Sequence, residues 1–522
     1  MKSILFFLLP LFLVACSTGL NKPNDAFLKS KKLSTSQKLK LILKDDYLES
    51  LHLNKAEKNW LNIFYKSNGY KTVFANDSLL NEKGLRALEI LQNPLYFGLP
   101  ENRGFHLNKG LHPLEKEVLI TVKLAVFQND LRYGCLDFNA EKLKPKTPIQ
   151  VDSFKVSIHY FSVKKPYKWC FKVAPSDSSY QFLAQQWFNY TQQHAIDSVC
   201  FQLKTEKADS NGYFQKTKGV LVKRNYIDSL ADTLTVYQQL KVFQAEHGLN
   251  PDGKIGKYTA QALNESTTHL AYRVVFAMEK IRRQQMRPKK FVRINLPEFK
   301  LYYVENDTLR AEHRIIIGKV TNQTPELESE IYRIVCYPFW RVPASITKKE
   351  TLPECKRNKN YLVRNHFKIF SGEREINPES VNWQRLNSFP YTAVQQPGKW
   401  NSLGIIKFEF NNEHSVYVHD TPTKSLFNNA FRSYSHGCMR CQFPVDLAKT
   451  ILKYDSIGRK EPFTAEKLDS ILSLEKNFPI PLKNRVPIFI EYNTVVAHRD
   501  RLVFFMDLYE REERWINILK KG

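Results

Sequence analysis

The sequence predicts an α+β chain of several domains: a helical scaffold, a small helical unit, and a mostly β domain carrying a long insertion. Three observations predict it. The chain has 522 residues, well beyond the usual length of one domain. Up to about residue 266 its apolar residues recur at helical spacing, and from Phe291 they alternate, the period of a half-buried strand. A 43% hydrophobic and 13% aromatic content is ample for packed cores and argues against global disorder.

At the N-terminus, Lys2 precedes an apolar run from Ile4 to Val14, followed by Ala15-Cys16. Residues 1–15 read as a secretory leader, because the run is too short to span a bilayer. The string Leu13-Val14-Ala15-Cys16 resembles a bacterial lipobox, which implies that Cys16 becomes the lipidated first residue of the mature chain. Residues 16–38 are polar and read as a tether. The helical scaffold is expected over 39–225. Trp60, Ile63 and Phe64 recur at helical spacing there, as do Leu85, Leu88, Ile90 and Leu91. A longer helix from Leu114 to Arg132 is stopped by Gly134. No catalytic constellation stands out in this region.

Residues 230–266 form a compact unit. One helix presents Val236, Leu240 and Phe243 as a stripe. A turn follows through Gly248, Asp252-Gly253 and Gly256, and a second helix holds Thr259, Ala262 and Leu263. The β domain spans 291–510, with Val292, Ile294 and Leu296 alternating and Val304-Glu305-Asn306-Asp307 as a hairpin turn. Within it, residues 343–397 form a polar, charged and partly helical insertion, long enough to be a lid.

The stretch Val416–Cys441 carries the chemistry. His419 ends an alternating run, and sixteen residues later comes Ser435-His436-Gly437-Cys438-Met439-Arg440. A thiol attacks an amide as its thiolate, and a neighbouring imidazole takes the proton. Backbone N–H groups beside a glycine can converge on an oxyanion, which makes those of Gly437 and Cys438 the candidates. Arg440 offers a fixed fork for a substrate carboxylate. Asp420 follows His419 directly, so it faces the other side of the strand, and a main-chain carbonyl is the expected partner of the far imidazole nitrogen.

This string closely resembles the L,D-transpeptidase signature, a His followed at about this interval by Ser-His-Gly-Cys-x-(Arg/Asn). Phe339–Pro353, Gln396–Phe408 and Phe64–Tyr70 resemble further parts of the larger periplasmic members, and Phe243–Asn264 resembles a small peptidoglycan-binding module. The resemblance implies Cys438 as nucleophile and His419 as general base. It places Ser435, His436 and Gly437 in the oxyanion and substrate-orienting wall, with Arg440 nearby. It also implies 3–3 cross-linking of peptidoglycan stem tetrapeptides with release of D-Ala. The same acyl-enzyme serves an L,D-carboxypeptidase or a wall-tethering enzyme, and a non-enzymatic wall-binding lipoprotein is the alternative from another class.

Cys441 stands where the family usually has an aliphatic residue. No second Cys pair lies at zinc spacing, so no metal and no cofactor is expected. The formal charge of +26 favours an anionic partner, and a carboxylate-rich wall polymer fits it without nucleic acid. The expected setting is the periplasm, with a monomeric chain held to the outer membrane by its lipid.

Overall fold

The computed structural model describes residues 25–144, 151–209, 212–283, 287–457, 460–461, 463–498 and 501–521. The leader, Cys16 and the first part of the tether lie outside the described residues. The fold is α+β and multidomain, and it divides into two compact units, Met1–Gln185 with Ile518–Gly522, and Gln186–Asn517.

The first unit is helical. Helix α1 (Lys55–Ser67) buries Trp60, Leu61, Phe64 and Tyr65, and its N-terminus is closed by a capping box between Asn54 and Glu57. Helix α2 (Glu82–Gln92) buries Ala87, Ile90 and Leu91. Ile63 and Leu85, read from sequence as part of the apolar stripes, are more than half exposed. They sit at the edge of a stripe about 100° wide, where a side chain can turn outward. Helix α3 (Pro113–Tyr133) is the buried centre and stops at Gly134, whose φ of 75° suits glycine. Its Glu117 accepts N–H bonds from Val73, Phe74 and Ala75 at 2.8, 2.6 and 2.8 Å and the Tyr65 hydroxyl at 2.8 Å. One buried carboxylate thereby satisfies three main-chain donors of a loop.

In the second unit, helices α4 (Thr233–Glu246) and α5 (Lys257–Asn264) enclose Val236, Leu240, Phe243 and Leu263. Gln244 pins the turn between them. It accepts the Gly253 N–H at 2.8 Å and donates to the Lys254 carbonyl at 2.9 Å. Leu203, Val220 and Leu221 share this core, so residues 186–225 pack with the second unit.

The β domain is built on β1 (Lys290–Asn295), β2 (Lys300–Glu305), β3 (Thr308–Gly318) and β4 (Leu327–Cys336). Strand β5 (Trp340–Arg341) leads into the insertion, which contributes β6 (Phe367–Ser371), β7 (Arg374–Ile376) and β8 (Thr392–Gln395). Next come β9 (Ile406–Phe410), β10 (Val418–His419), β11 (Ser433–Ser435), β12 (Met439–Cys441), helix α6 (Pro444–Asp455) and β13 (Phe478–Glu491). The main sheet runs β11-β3-β12-β10-β9-β4-β13-β1-β2, and β2 also pairs with β3, so the sheet closes on itself. Its enclosed core includes Val292, Ile294, Ile315, Ile334, Phe408, Val418 and Met439, and α6 adds Leu447, Ala448 and Ile451. The predicted turn at Asn306-Asp307 has both residues at positive φ, 49° and 57°, as a two-residue hairpin of this handedness requires.

The insertion is more than a polar loop. With β5, its strands form a second sheet in the order β5-β8-β6-β7. Beneath them lies a separate core of Val342, Leu352, Cys355, Leu362, Ile369 and Trp383. It therefore folds on its own apolar residues and presents its charges outward.

Candidate active site

Two short parallel strands hold the predicted residues. Val418 stands opposite Met439 and His419 opposite Arg440, and the Met439 N–H donates to the Tyr417 carbonyl at 3.0 Å. Side chains alternate along a strand, and paired residues share a face. Val418, Met439 and Cys441 belong to the core. Tyr417, His419, Cys438 and Arg440 therefore fall on the other face, joined by Lys407, which stands opposite His419 on β9. Cys438 and Cys441, three positions apart, alternate to different sides. Cys441 is fully buried, and burial pushes its thiol up to about 12. All seven described cysteines are free.

His419 is 5% exposed. Burial, followed by the Arg440 charge, lowers its imidazole to about 3, with main-chain contacts to Asp420 and Leu403 opposing. The ring is therefore neutral at ordinary pH, the form that can accept a proton. Its Nδ1 is buried and has no hydrogen-bond partner among the described residues. The Asp420 carboxylate turns away, accepting the Ile405 N–H at 3.0 Å and pairing with Lys424.

Burial also raises the Cys438 thiol. The Tyr417 main chain and phenol, and the charges of Lys407 and Arg440, pull it back toward the thiolate. Tyr417 is the functional candidate that sequence reasoning missed. Its ring lies 5.5 Å from that of His419, Lys407 Nζ sits 4.2 Å above it, and burial, with the nearby Cys438 thiol adding to it, raises its phenol. Its spacing two residues before His419 was the available signal, because i and i+2 share a strand face. Tyr417→Phe removes a donor to a developing charge. Such a bond contributes about 1.5–3 kcal/mol, so acylation of Cys438 by a β-lactam should slow by roughly ten- to a hundredfold. A stopped-flow rate equal to the parent's would remove the phenol from the thiol's activation.

The loop before Cys438 is braced from within. Ser435 Oγ accepts the Gly437 N–H at 3.2 Å and donates to the Cys438 carbonyl at 2.5 Å. Thr324 donates to the Gly437 carbonyl at 2.8 Å and accepts the Gly318 N–H at 2.9 Å. The Gly437 N–H is thus engaged inside the loop, which leaves the Cys438 N–H as the better oxyanion donor of the expected pair. Gly437 has φ of 115°, while an added Cβ would meet nothing closer than 3.7 Å. Conformation rather than space reserves this position for glycine. Ser435 is buried, whereas His436 is exposed and its Nε2 lies 2.5 Å from Glu350 of the insertion. His436 thus contacts the insertion, and Ser435 shapes the loop. Arg440 keeps a buried Nε without a partner among the described residues, and no carboxylate pairs with it there.

A neutral imidazole, a half-buried thiol and flanking cations on one strand face can perform nucleophilic acyl transfer. Among the described residues no His, Cys, Asp and Glu cluster suits a metal ion, and no helix is long and apolar enough to cross a membrane.

Comparison with known proteins points the same way. Residues 289–461 match the YkuD family, described as the L,D-transpeptidase catalytic domain. A Haemophilus influenzae protein named as a candidate L,D-transpeptidase is 30% identical over 227 residues, covering 43% of this chain and 45% of that protein. The chain thus spans less than half the length of this relative. The L,D-transpeptidase crystal structures from Xylanimonas cellulosilytica and Stackebrandtia nassauensis are each 13% identical to it. They cover 49% and 57% of this chain, and 80% and 97% of their own, with TM-scores of 0.18 and 0.19. Scores this low carry no weight in assigning fold or function. The similarity to the L,D-transpeptidase catalytic domain is thus carried by residues 289–461.

Proposed function

We propose that the chain is a cysteine-dependent L,D-transpeptidase that forms 3–3 cross-links between peptidoglycan stems. One observation carries the reading: the strand register puts Tyr417, His419, Cys438 and Arg440 on a single face. His419 takes the thiol proton as the sulfur attacks the carbonyl of the third stem residue. The Cys438 N–H donates to the oxyanion. Collapse breaks the bond to the terminal D-Ala, whose amine leaves with the proton held on His419. A diamino-acid amine of a second stem then attacks the thioester, gives its proton to His419, and releases the thiolate. Arg440 is placed to hold a stem carboxylate.

The insertion acts as a lid in this scheme. Its Glu350 meets His436. Exclusion of water matters because water competes with the amine for the acyl-enzyme. The α4–α5 pair is the wall-binding module, and the +26 charge suits a polymer bearing many carboxylates. Lipidation at Cys16 would hold the chain at the periplasmic face of the outer membrane, and mass spectrometry of the mature N-terminus tests that directly.

The function is tested by muropeptide analysis. Purified protein incubated with tetrapeptide-rich sacculi should yield 3–3 linked dimers and free D-Ala. Tripeptide without dimer would identify a carboxypeptidase, and no change in any product would leave a binding protein.

A further inference from the structure

An open groove of about 760 Å³ lies between the α4–α5 pair and the β domain, within one compact unit. The two walls are locked together. The Tyr258 ring lies 3.9 Å from Phe431, and Gly248 approaches so closely that a Cβ there would stand 2.4 Å from the Phe505 ring. One wall offers Leu249, Asn250 and Pro251, and the other offers Phe299, Asn428 and Asn429. Four cations line it, Lys300, Arg314, Arg432 and Arg501, and Lys300 already pairs with Glu312 at 2.7 Å. The acid among its lining residues, Glu298, is 4% exposed and already engaged by the Tyr302 hydroxyl at 2.5 Å and His498 at 3.4 Å.

Arg314 and Arg432 are the informative pair. Arg314 donates to the Phe427 carbonyl, and Arg432 to the carbonyls of Ile315, Asn429 and Phe299. Neither has a carboxylate partner among the described residues. Burial depresses the Arg432 guanidinium, and the Arg314 charge adds to that in the same direction. Arg432 is buried and spends its donors on main-chain carbonyls, so it adds positive field, and Arg314 is the group placed to meet an anion.

The groove also opens on the catalytic side of the sheet. Arg314 and Ile316 share one face of β3, and Ile316 stands opposite Arg440 on β12. The Gln442 N–H donates to the Arg314 carbonyl at 3.0 Å. Cys438 lies four residues back along the same segment, or roughly 13 Å at about 3.3 Å per residue. That is also about the length of an extended tetrapeptide.

We infer that this groove is a second substrate subsite, which binds the carboxylate-bearing part of a peptidoglycan stem at Arg314, within the positive field of Arg432 and Lys300, while the same stem reaches Cys438. The inference rests on the proposed function. It assigns the module a direct part in loading the site, since Leu249, Asn250 and Pro251 lie in one wall of the groove.

The test is calorimetric titration of the full chain carrying Cys438→Ala, which needs no turnover. The probes are a soluble disaccharide tetrapeptide and the same compound with its carboxyls amidated. The free acid should bind at least tenfold tighter than the amidated form, about 1.4 kcal/mol. Arg314→Glu and Lys300→Glu, each made in that background, should weaken the free acid at least tenfold, leave the amidated form within twofold, and keep the parent's melting temperature. Equal binding of acid and amide to the parent overturns the subsite. So does undiminished binding of the acid to both variants, or an equal loss of both ligands, which would point to shape rather than charge. Failure of the proposed function appears separately, as a wild-type chain whose Cys438 is not acylated by a β-lactam.

Discussion

Replacement of Cys438 by Ala should abolish both acyl-enzyme formation and cross-linking, with the fold intact. One sulfur carries the covalent step, and nothing beside it can substitute. The side chain is half-buried at the margin of the core, so its loss removes few contacts. Cys441→Ala is the matched control. That residue is fully buried among apolar neighbours, so its truncation should cost about 1–2 kcal/mol of stability. Activity per folded molecule should stay near the parent's. Mass spectrometry after exposure to a carbapenem reads the first effect, and thermal melting the second. An adduct on Cys438→Ala, or a stable but inert Cys441→Ala, would exchange the two assignments.

The contrast between these cysteines shows what could be read in the sequence. The catalytic string spans strand, loop and strand within 26 residues, and its alternation already sorts Cys438 from Cys441. The helices of the first unit and the α4–α5 pair were legible for the same reason, since each is a local periodicity. What could not be read depends on partners far away in the chain. Thr324 grips the Gly437 carbonyl across 113 positions. Tyr509 donates to the Gly318 carbonyl at 2.6 Å across 191. Neither residue lies in a recognisable pattern, because its value comes from where the closed sheet delivers it. The insertion reads as a polar loop because its strands are short and exposed on one side, and only the third dimension assembles Val342, Ile369 and Trp383 into a core. The groove cations were invisible for a related reason. Lys300, Arg314 and Arg432 belong to three separate segments, and a net charge does not say where the charges meet.

His419→Ala should slow acylation of Cys438 by about 10²–10⁴-fold, the usual size of lost base assistance. His419→Gln, which fills more of the buried site, should be as slow and separates the loss of the base from the loss of packing. The pH dependence is the sharper readout. Burial and Arg440 hold the imidazole at about 3, so the neutral ring is present throughout the range above that value. Burial raises the Cys438 thiol above its ordinary value, so it stays protonated in the resting enzyme. Thiol and imidazole therefore rest uncharged, and the ion pair forms only as the sulfur attacks. Acylation by a small β-lactam should then be flat between pH 5 and about 8, without the acid limb near pH 6.5 that an ordinary histidine gives. In His419→Ala the proton must go to solvent, so the residual rate should climb with pH in proportion to the thiolate. A parent profile falling by half near pH 6.5, or an alanine variant as fast as the parent at neutral pH, would take His419 out of the proton transfer.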